Sequence, residues 1–116
     1  MDKPEYVTIS MTDHAPVKVR RADWLLVASA KQHDGGQIEC QANRRWMIYV
    51  RQHADGRSLV SGTHSTQWQG EADGYGGELI ESGGDVPAAI RRIGERIGAN
   101  EGTIDRCIAD LPAVEL

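Results

Sequence analysis

Apolar and polar positions alternate with a period of two through the middle of the chain. The pattern is clearest in residues 45–53, where Trp46, Ile48 and Val50 point one way. The intervening Met47, Tyr49 and Arg51 point the other way. Bulky residues with this period are typical of a half-buried strand. Residues 24–28 are apolar and partly β-branched, and residues 57–68 are similar but interrupted by Gly62. The pattern therefore predicts three successive strands.

Two similar phrases, KQHDGG at residues 31–36 and RQHADGR at residues 51–57, stand where strands end. Asp55-Gly56 predicts a hairpin, because Gly accepts a positive φ and Asp bonds its own backbone. A two-residue Asp-Gly turn and a three-residue Ala-Asp-Gly loop with a bulge both fit, and the choice decides whether Leu59 or Val60 faces the core. Asp34-Gly35-Gly36 predicts the preceding turn.

Residues 70–85 hold six glycines and predict a loop with a short strand at residues 78–81. Glycine-rich loops can bind phosphate, but this segment lacks both the GK[ST] of a P-loop and a GxGxxG between a strand and a helix. The segment therefore gives no nucleotide-binding motif.

The last third of the chain changes to helical periodicity. Asp85 can cap a first helix, Pro87 is tolerated in its first turn, and Gly98 is a natural stop. Its apolar face comprises Val86, Ile90, Ile93 and Ile97. Thr103 or a neighbour can cap a second helix, which Pro112 ends. Its apolar positions are Ile104, Cys107, Ile108 and Leu111.

These elements predict an α+β fold: a three- to four-stranded antiparallel β-meander followed by two C-terminal helices packed on one face. Residues 22–116 form the single domain, with the sheet in residues 22–82 and the helices in residues 86–111. Residues 1–21 are predicted to be a flexible N-terminal tail or an edge segment. Met11 is an alternative candidate for the start codon, which would make residues 1–10 dispensable.

Charge is unevenly distributed over the 116 residues. Residues 1–58 carry a net charge of +2 and residues 59–116 a net charge of −6. An acidic second half argues against a broad nucleic-acid surface there and suits a basic protein partner or simple solubility. The two cysteines, Cys40 and Cys107, predict reduced, buried thiols. No apolar run approaches the length of a membrane helix, so we expect a cytoplasmic protein without membrane contact.

The histidines and acidic residues near the turns are of the types that bind metals, but they are not expected to lie close together. His33, His53, Asp34 and Asp55 are suitable ligands for a divalent ion. Successive turns of a meander lie at opposite ends, however, about 25 Å apart for strands of eight residues. We therefore predict neither a metal nor another cofactor, and no catalytic pattern indicates an enzyme. His64 is expected to approach Met47 or Trp46 across the hairpin.

The segment RRIGERIGANEGTIDRCIADL, within residues 90–111, resembles the helix-turn-helix of bacterial transcription regulators. Gly94 stands where that family places a small residue so that the helices cross closely. The resemblance implies DNA contacts from Arg91, Arg92, Arg96, Thr103 and Arg106. Glu101, Asp105 and Asp110 surround Arg106, however, so a purely structural helical pair also fits the pattern.

A second candidate surface is a basic and aromatic patch. Arg20, Arg21, Arg44 and Arg45 are close in sequence to Trp24 or Trp46. Basic residues interleaved with aromatic ones can hold single-stranded nucleic acid. A third use of the sheet is recruitment of a partner by edge pairing.

At whole-chain level, residues 22–57, STQWQGE and the C-terminal helical segment resemble small uncharacterised proteins carried on bacterial plasmids, integrative elements and prophages. This resemblance implies an accessory role and supplies no catalytic residue. The predicted function is a non-enzymatic accessory or regulatory binding module of a bacterial mobile element that acts by protein–protein contact. The alternative is a helix-turn-helix-type DNA-binding regulator that uses residues 90–111.

Overall fold

The computed structural model describes residues 4–35 and 42–112. In these residues the order of elements is β1 (Tyr6–Ile9), β2 (Val17–Arg20), β3 (Trp24–His33), β4 (Arg44–His53), β5 (Ser58–Thr66), β6 (Gly74–Ile80), α1 (Val86–Ile97) and α2 (Glu101–Ala109). Strands β3 to β6 form an antiparallel sheet in sequential order, and β1 pairs with β2 in a second, two-stranded sheet. Both helices pack against the four-stranded sheet. The predicted α+β meander with two C-terminal helices is confirmed.

The main core lies between the four-stranded sheet and the helices. Ile48 and Val50 of β4 are buried there, as the alternation predicted, and they meet Ile90 and Ile93 of α1. Burial of each such side chain contributes about 1.5–3 kcal/mol. This helix-covered side is called the inner face below, and the opposite side the outer face.

The β4–β5 turn resolves the alternative that the sequence left open. The Gly56 amide donates to the His53 carbonyl at 2.9 Å, and the His53 amide donates to the Arg57 carbonyl at 2.9 Å. Gly56 has a φ of 94°, so the loop is Ala-Asp-Gly with a bulge. Val60 consequently lies opposite Val50 and faces inward, while Leu59 faces outward.

The β3–β4 connection is longer than the predicted three-residue turn. Strand β3 ends at His33 and β4 begins at Arg44. The Asp34 carboxylate accepts hydrogen bonds from the amides of Asn43 and Arg44 at 2.8 and 3.1 Å. Asp34 therefore closes the two ends of the connection rather than forming its tip. Gly36 of the predicted turn, and Cys40, lie outside the described residues.

A β-bulge divides β3 into two parts that bury opposite faces. The strand pairing shifts between Leu26, which lies opposite Arg51, and Ala28, which lies opposite Val50. Val27 is the extra residue. Ala28 consequently packs in the inner core, whereas Trp24 is buried on the outer face. A bulge reverses the inside–outside alternation because it adds one residue to one strand.

Residues 1–21, predicted as a tail or an edge segment, contain the β1–β2 hairpin. Its apolar side covers part of the outer face, where Ile9 and Met11 pack with Trp24 and Leu59. The two strands have only four residues each, which is too short for a clear periodic signal. Ile9 is buried, so the segment considered dispensable contributes to this second core.

Strand β6 runs through glycines that the sequence assigned to a loop. The predicted short strand at residues 78–81 is wrong in extent, since β6 spans Gly74–Ile80. A Cβ on Gly76 would lie 3.1 Å from Ile93 Cδ1 on the inner face. A Cβ on Gly77 would clash with the Ser10 carbonyl on the outer face. Glycine is required here because the neighbouring elements approach the strand closely on both sides.

The ends of α1 agree with the sequence, whereas the cap of α2 is Asn100 and not the predicted Thr103, which lies inside the helix. Asp85 accepts a hydrogen bond from the Ala88 amide at 3.0 Å, and Gly98 ends α1 with a φ of 78°. Asn100 caps α2 by accepting from the Thr103 amide at 2.8 Å. The helices cross closely at Gly94, where a Cβ would lie 2.6 Å from Ile104 Cδ1. In the described residues, neither helix has the length and apolarity needed to span a membrane.

Candidate functional site

Thr103, proposed from the sequence as a DNA contact, lies inside the protein. Its side chain is fully buried, and its hydroxyl donates to Gln32 Oε1 at 2.8 Å. The Asn100 amide donates to the same oxygen at 2.8 Å. Gln32 therefore joins β3 to the start of α2, and Thr103 has a structural contact rather than a solvent-facing one.

The arginines of the helical pair lie on the surface but have partners within the protein. Arg92 makes a two-pronged ion pair with Glu78 of β6, which raises the pKa of the guanidinium. Arg91 pairs with Asp105 at 3.2 Å. Arg96 donates to the Tyr75 carbonyl, and Arg106 donates to the Lys31 carbonyl. The contacts of Arg92, Arg96 and Arg106 attach the helices to the sheet, and that of Arg91 joins the two helices. Each would compete with a phosphate for the same donors.

The second predicted surface is divided between two ends of the sheet. Arg44 and Arg45 begin β4 near His33, whereas Arg20 and Arg21 precede Trp24, which lies opposite the last residue of β4. Trp46 and Trp24 also lie on different faces. The four arginines and two tryptophans therefore do not form one continuous patch.

Arg44 lies in a local network of opposite charges. It forms ion pairs with Glu71 and, at 3.4 Å, with Asp34. The Glu71 carboxylate also accepts from the Thr66 hydroxyl at 2.8 Å. The hydrogen bond from Arg44 lowers the pKa of Glu71, with Thr66 as the second cause. Arg44 also lies 5.7 Å from the centre of the exposed Trp68 ring. The network joins the start of β4 to the segment after β5.

The histidines are placed as the meander predicted. His33 lies opposite Arg45 and His53 lies opposite Trp24, so the two are at opposite ends of the β3–β4 ladder. His64 faces Trp46 across the hairpin, and their rings stack at 4.8 Å with an interplanar angle of 2°. In residues 4–35 and 42–112, no three His, Cys, Asp or Glu side chains are grouped to hold a metal.

A stronger candidate site is the first part of β3, which is an edge strand of the four-stranded sheet. Leu25 and Leu26 are 59% and 49% exposed there. They belong to the apolar run Trp24–Val27, in which the bulge prevents regular burial. Beside them is a shallow groove of about 280 Å³, lined by Ala22, Asp23, Leu25, Val27, Gln52, His53 and Ala54. We call residues 25–27 with this groove the open edge.

The second part of β3 is closed by α2. Asp110 accepts a hydrogen bond from the Ser29 amide at 3.0 Å, and Arg106 donates to the Lys31 carbonyl at 2.8 Å. Both backbone groups lie along the free edge of β3, where an added strand would otherwise form hydrogen bonds. The side chains of α2 therefore confine the open edge to the residues before Ser29.

The opposite edge of the sheet is closed at its middle. The Thr12 amide donates to the Gly77 carbonyl at 3.0 Å, and the Gly77 amide donates to the Thr12 hydroxyl at 3.0 Å. Thr12 thus occupies the backbone groups at the middle of β6.

Comparison with family models, with curated proteins and with solved structures finds no match to the chain in any of the three. Sequence reasoning noted edge pairing without locating it. The signal was four consecutive apolar residues, Trp24 to Val27, which a regular strand cannot bury on a single face.

Proposed function

We propose that the protein is a non-enzymatic binding module that recruits a partner protein through the open edge of β3. The proposal rests on the exposure of Leu25 and Leu26 beside an edge that is closed only from Ser29 onward. The resemblance to proteins of bacterial mobile elements supports an accessory or regulatory role, which we place in the cytoplasm.

The expected occupant is a short extended segment of the partner. An edge strand offers backbone donors and acceptors to an added strand, and neighbouring pockets select its side chains. An apolar side chain suits the groove beside Leu25 and Val27. Burial of the exposed parts of Leu25 and Leu26 would contribute roughly 1 kcal/mol each. Because the open edge has about three residues, the added segment is short, on the order of 10 Å.

Site-specific crosslinking can locate the partner on the protein. A photoreactive residue at position 25 is expected to crosslink the partner in lysate of the native host. The matched control is position 79, since Leu79 is 43% exposed on β6, near the closed edge. Leu26→Asp should abolish capture, whereas Leu79→Asp should retain it.

Equal crosslinking from both positions, or full capture by Leu26→Asp, would contradict the proposal. Sedimentation velocity of the purified protein tests whether a second copy of the chain, and not a different protein, occupies the open edge. A dimer that Leu26→Asp dissociates would show that a second copy of the chain occupies the edge, which overturns recruitment of a different partner.

DNA binding by the helical pair is the second candidate. The observations in its favour are the three-residue turn between α1 and α2 and the close helix crossing at Gly94. Against it, Glu101 and Asp105 of α2 and Asp110 at its C-terminal end are exposed, and these would repel phosphates. Titration with a mixed-sequence duplex at low salt tests it by NMR. Chemical-shift changes confined to residues 91–110 that vanish as the salt concentration rises would support DNA binding, and an unchanged spectrum would exclude it.

A further inference from the structure

A cleft of about 360 Å³ lies between the β1–β2 hairpin and the outer face of the sheet. Two arginines line it: Arg21, in the turn after β2, and Arg51, in β4. Hydroxyl groups surround them. The polar side chains of the lining are Arg21, Arg51, Tyr49, Thr8, Ser10, Ser61 and Thr63. The cleft thus combines positive charge with hydroxyl donors, and none of the described residues in its lining is acidic.

The two guanidinium groups have few partners inside the protein. Arg51 donates to the Trp24 carbonyl at 3.3 Å. Arg21 Nε is buried and lacks a hydrogen-bond partner among the described residues. Burial lowers the pKa of Arg51, and repulsion from Arg21 is the second cause. Every ion pair that the structure describes for an arginine lies elsewhere, at Arg20, Arg44, Arg57, Arg91 and Arg92.

Such an arrangement is costly unless an anion completes it. Two like charges repel in a partly buried cleft, and arginine cannot release its proton at physiological pH. A buried N–H without an acceptor adds a further cost. A bound oxyanion would remove the repulsion between the charges, because a guanidinium donates two parallel hydrogen bonds to adjacent oxygens.

We propose that the cleft between the hairpin and the sheet binds a small phosphate monoester, with Arg21 and Arg51 holding its phosphate group. A monoester carries a charge of about −1.5 to −2 near neutral pH, which balances two guanidiniums, whereas a monocarboxylate would leave one unbalanced. The hydroxyls of Ser61 and Thr63 supply donors for the third oxygen. The cleft has room for a phosphate with a small organic group, and it is separate from the open edge of β3.

Phenyl phosphate is a suitable probe, with titration of ¹⁵N-labelled protein followed by NMR. We expect saturable shifts of the Arg21 and Arg51 Nε–Hε signals of the wild-type protein. Arg21→Gln and Arg51→Gln should each weaken binding at least about tenfold, since each removes a charged hydrogen-bond donor. Arg20→Gln is the matched control, because Arg20 adjoins Arg21 but pairs with Glu5 on the surface, and its affinity should equal that of the wild type.

Several outcomes would overturn the proposal. They are the absence of saturable shifts in the wild-type protein, equal weakening by Arg20→Gln, and equal shifts from acetate or chloride at the same ionic strength. Binding of a single-stranded oligonucleotide without binding of phenyl phosphate would also overturn it, since a phosphodiester surface would then explain the arginines. The wild-type titration decides the question even if a variant fails to fold.

Discussion

Gly77→Ala tests the contact between the N-terminal hairpin segment and the four-stranded sheet. The added Cβ would clash with the Ser10 carbonyl and lie 3.0 Å from Met11 Sδ and 3.2 Å from Met11 Cα. Two of these three atoms belong to the backbone, so a side-chain rotation cannot relieve the contact. The Ser10–Thr12 segment must move away from β6, which strains both hydrogen bonds between Thr12 and Gly77.

The expected loss of stability is about 1–3 kcal/mol. Overpacking of a filled site costs about 1–3 kcal/mol. The two hydrogen bonds are strained and not lost, so they add only part of the roughly 0.5–1.5 kcal/mol that each contributes. Replacing glycine restricts the unfolded chain and returns about 0.4–1 kcal/mol. Gly74→Ala is the matched control in the same strand, since its Cβ would meet only His64 Cβ, at 3.7 Å. That variant should be as stable as the wild type or slightly more stable.

Urea unfolding followed by tryptophan fluorescence measures both variants. At about 4 °C per kcal/mol, Gly77→Ala should also lower Tm by roughly 4–12 °C. Hydrogen exchange at amide 77, which donates to Thr12, should become faster in this variant. If Gly77→Ala proves as stable as Gly74→Ala and its amide stays protected, the inferred close approach of the hairpin segment is incorrect.

Two further predictions concern pH. Burial, followed by the charge of Asp110, raises the pKa of Cys107 from 9.0 to about 11. The stabilisation that depends on the protonated thiol should therefore be fully present below about pH 9 and should be lost as the pH rises from about 9 to 11. Cys107→Ala should flatten that alkaline decline in urea unfolding, and an unchanged slope would contradict it. The pKa of Glu71 is lowered by Arg44, so its contribution is present above the ordinary carboxyl pKa and is lost as pH falls. Glu71→Gln should reduce stability near neutral pH and match the wild type in acid, whereas an equal loss at both would argue against the ion pair.

Local sequence signals predicted the elements that have regular periods and clear ends. The β4 alternation, the Asp85 cap and the Gly98 stop needed only near neighbours, and the structure confirms them. The first half of strand β6 was missed because its glycines are explained by Ile93 and Ser10, which are distant in sequence. The β1–β2 hairpin was missed because four-residue strands carry little periodic information and depend on the outer face for burial.

The candidate sites depended still more on tertiary contacts. The sequence shows that Arg21 is basic but not that it lies near Arg51. The two residues line the same cleft because the turn after β2 lies over β4. The bulge after Leu26 and the limit of the open edge are tertiary features too, since that limit follows from Asp110, at the C-terminal end of α2, which accepts a hydrogen bond from the Ser29 amide. None of these pairings has a local sequence signature.

The glycines at positions 62 and 76 lie opposite each other on β5 and β6, beneath Ile93 of α1. Sliding β6 past β5 by one residue would turn Tyr75 or Gly77 toward the helix and separate the two glycines. Tyr75 would place a ring in the space that the isoleucine occupies. Docking of α1 therefore disfavours the slip that brings Tyr75 beneath the helix, because its ring would fill the depression that accepts Ile93.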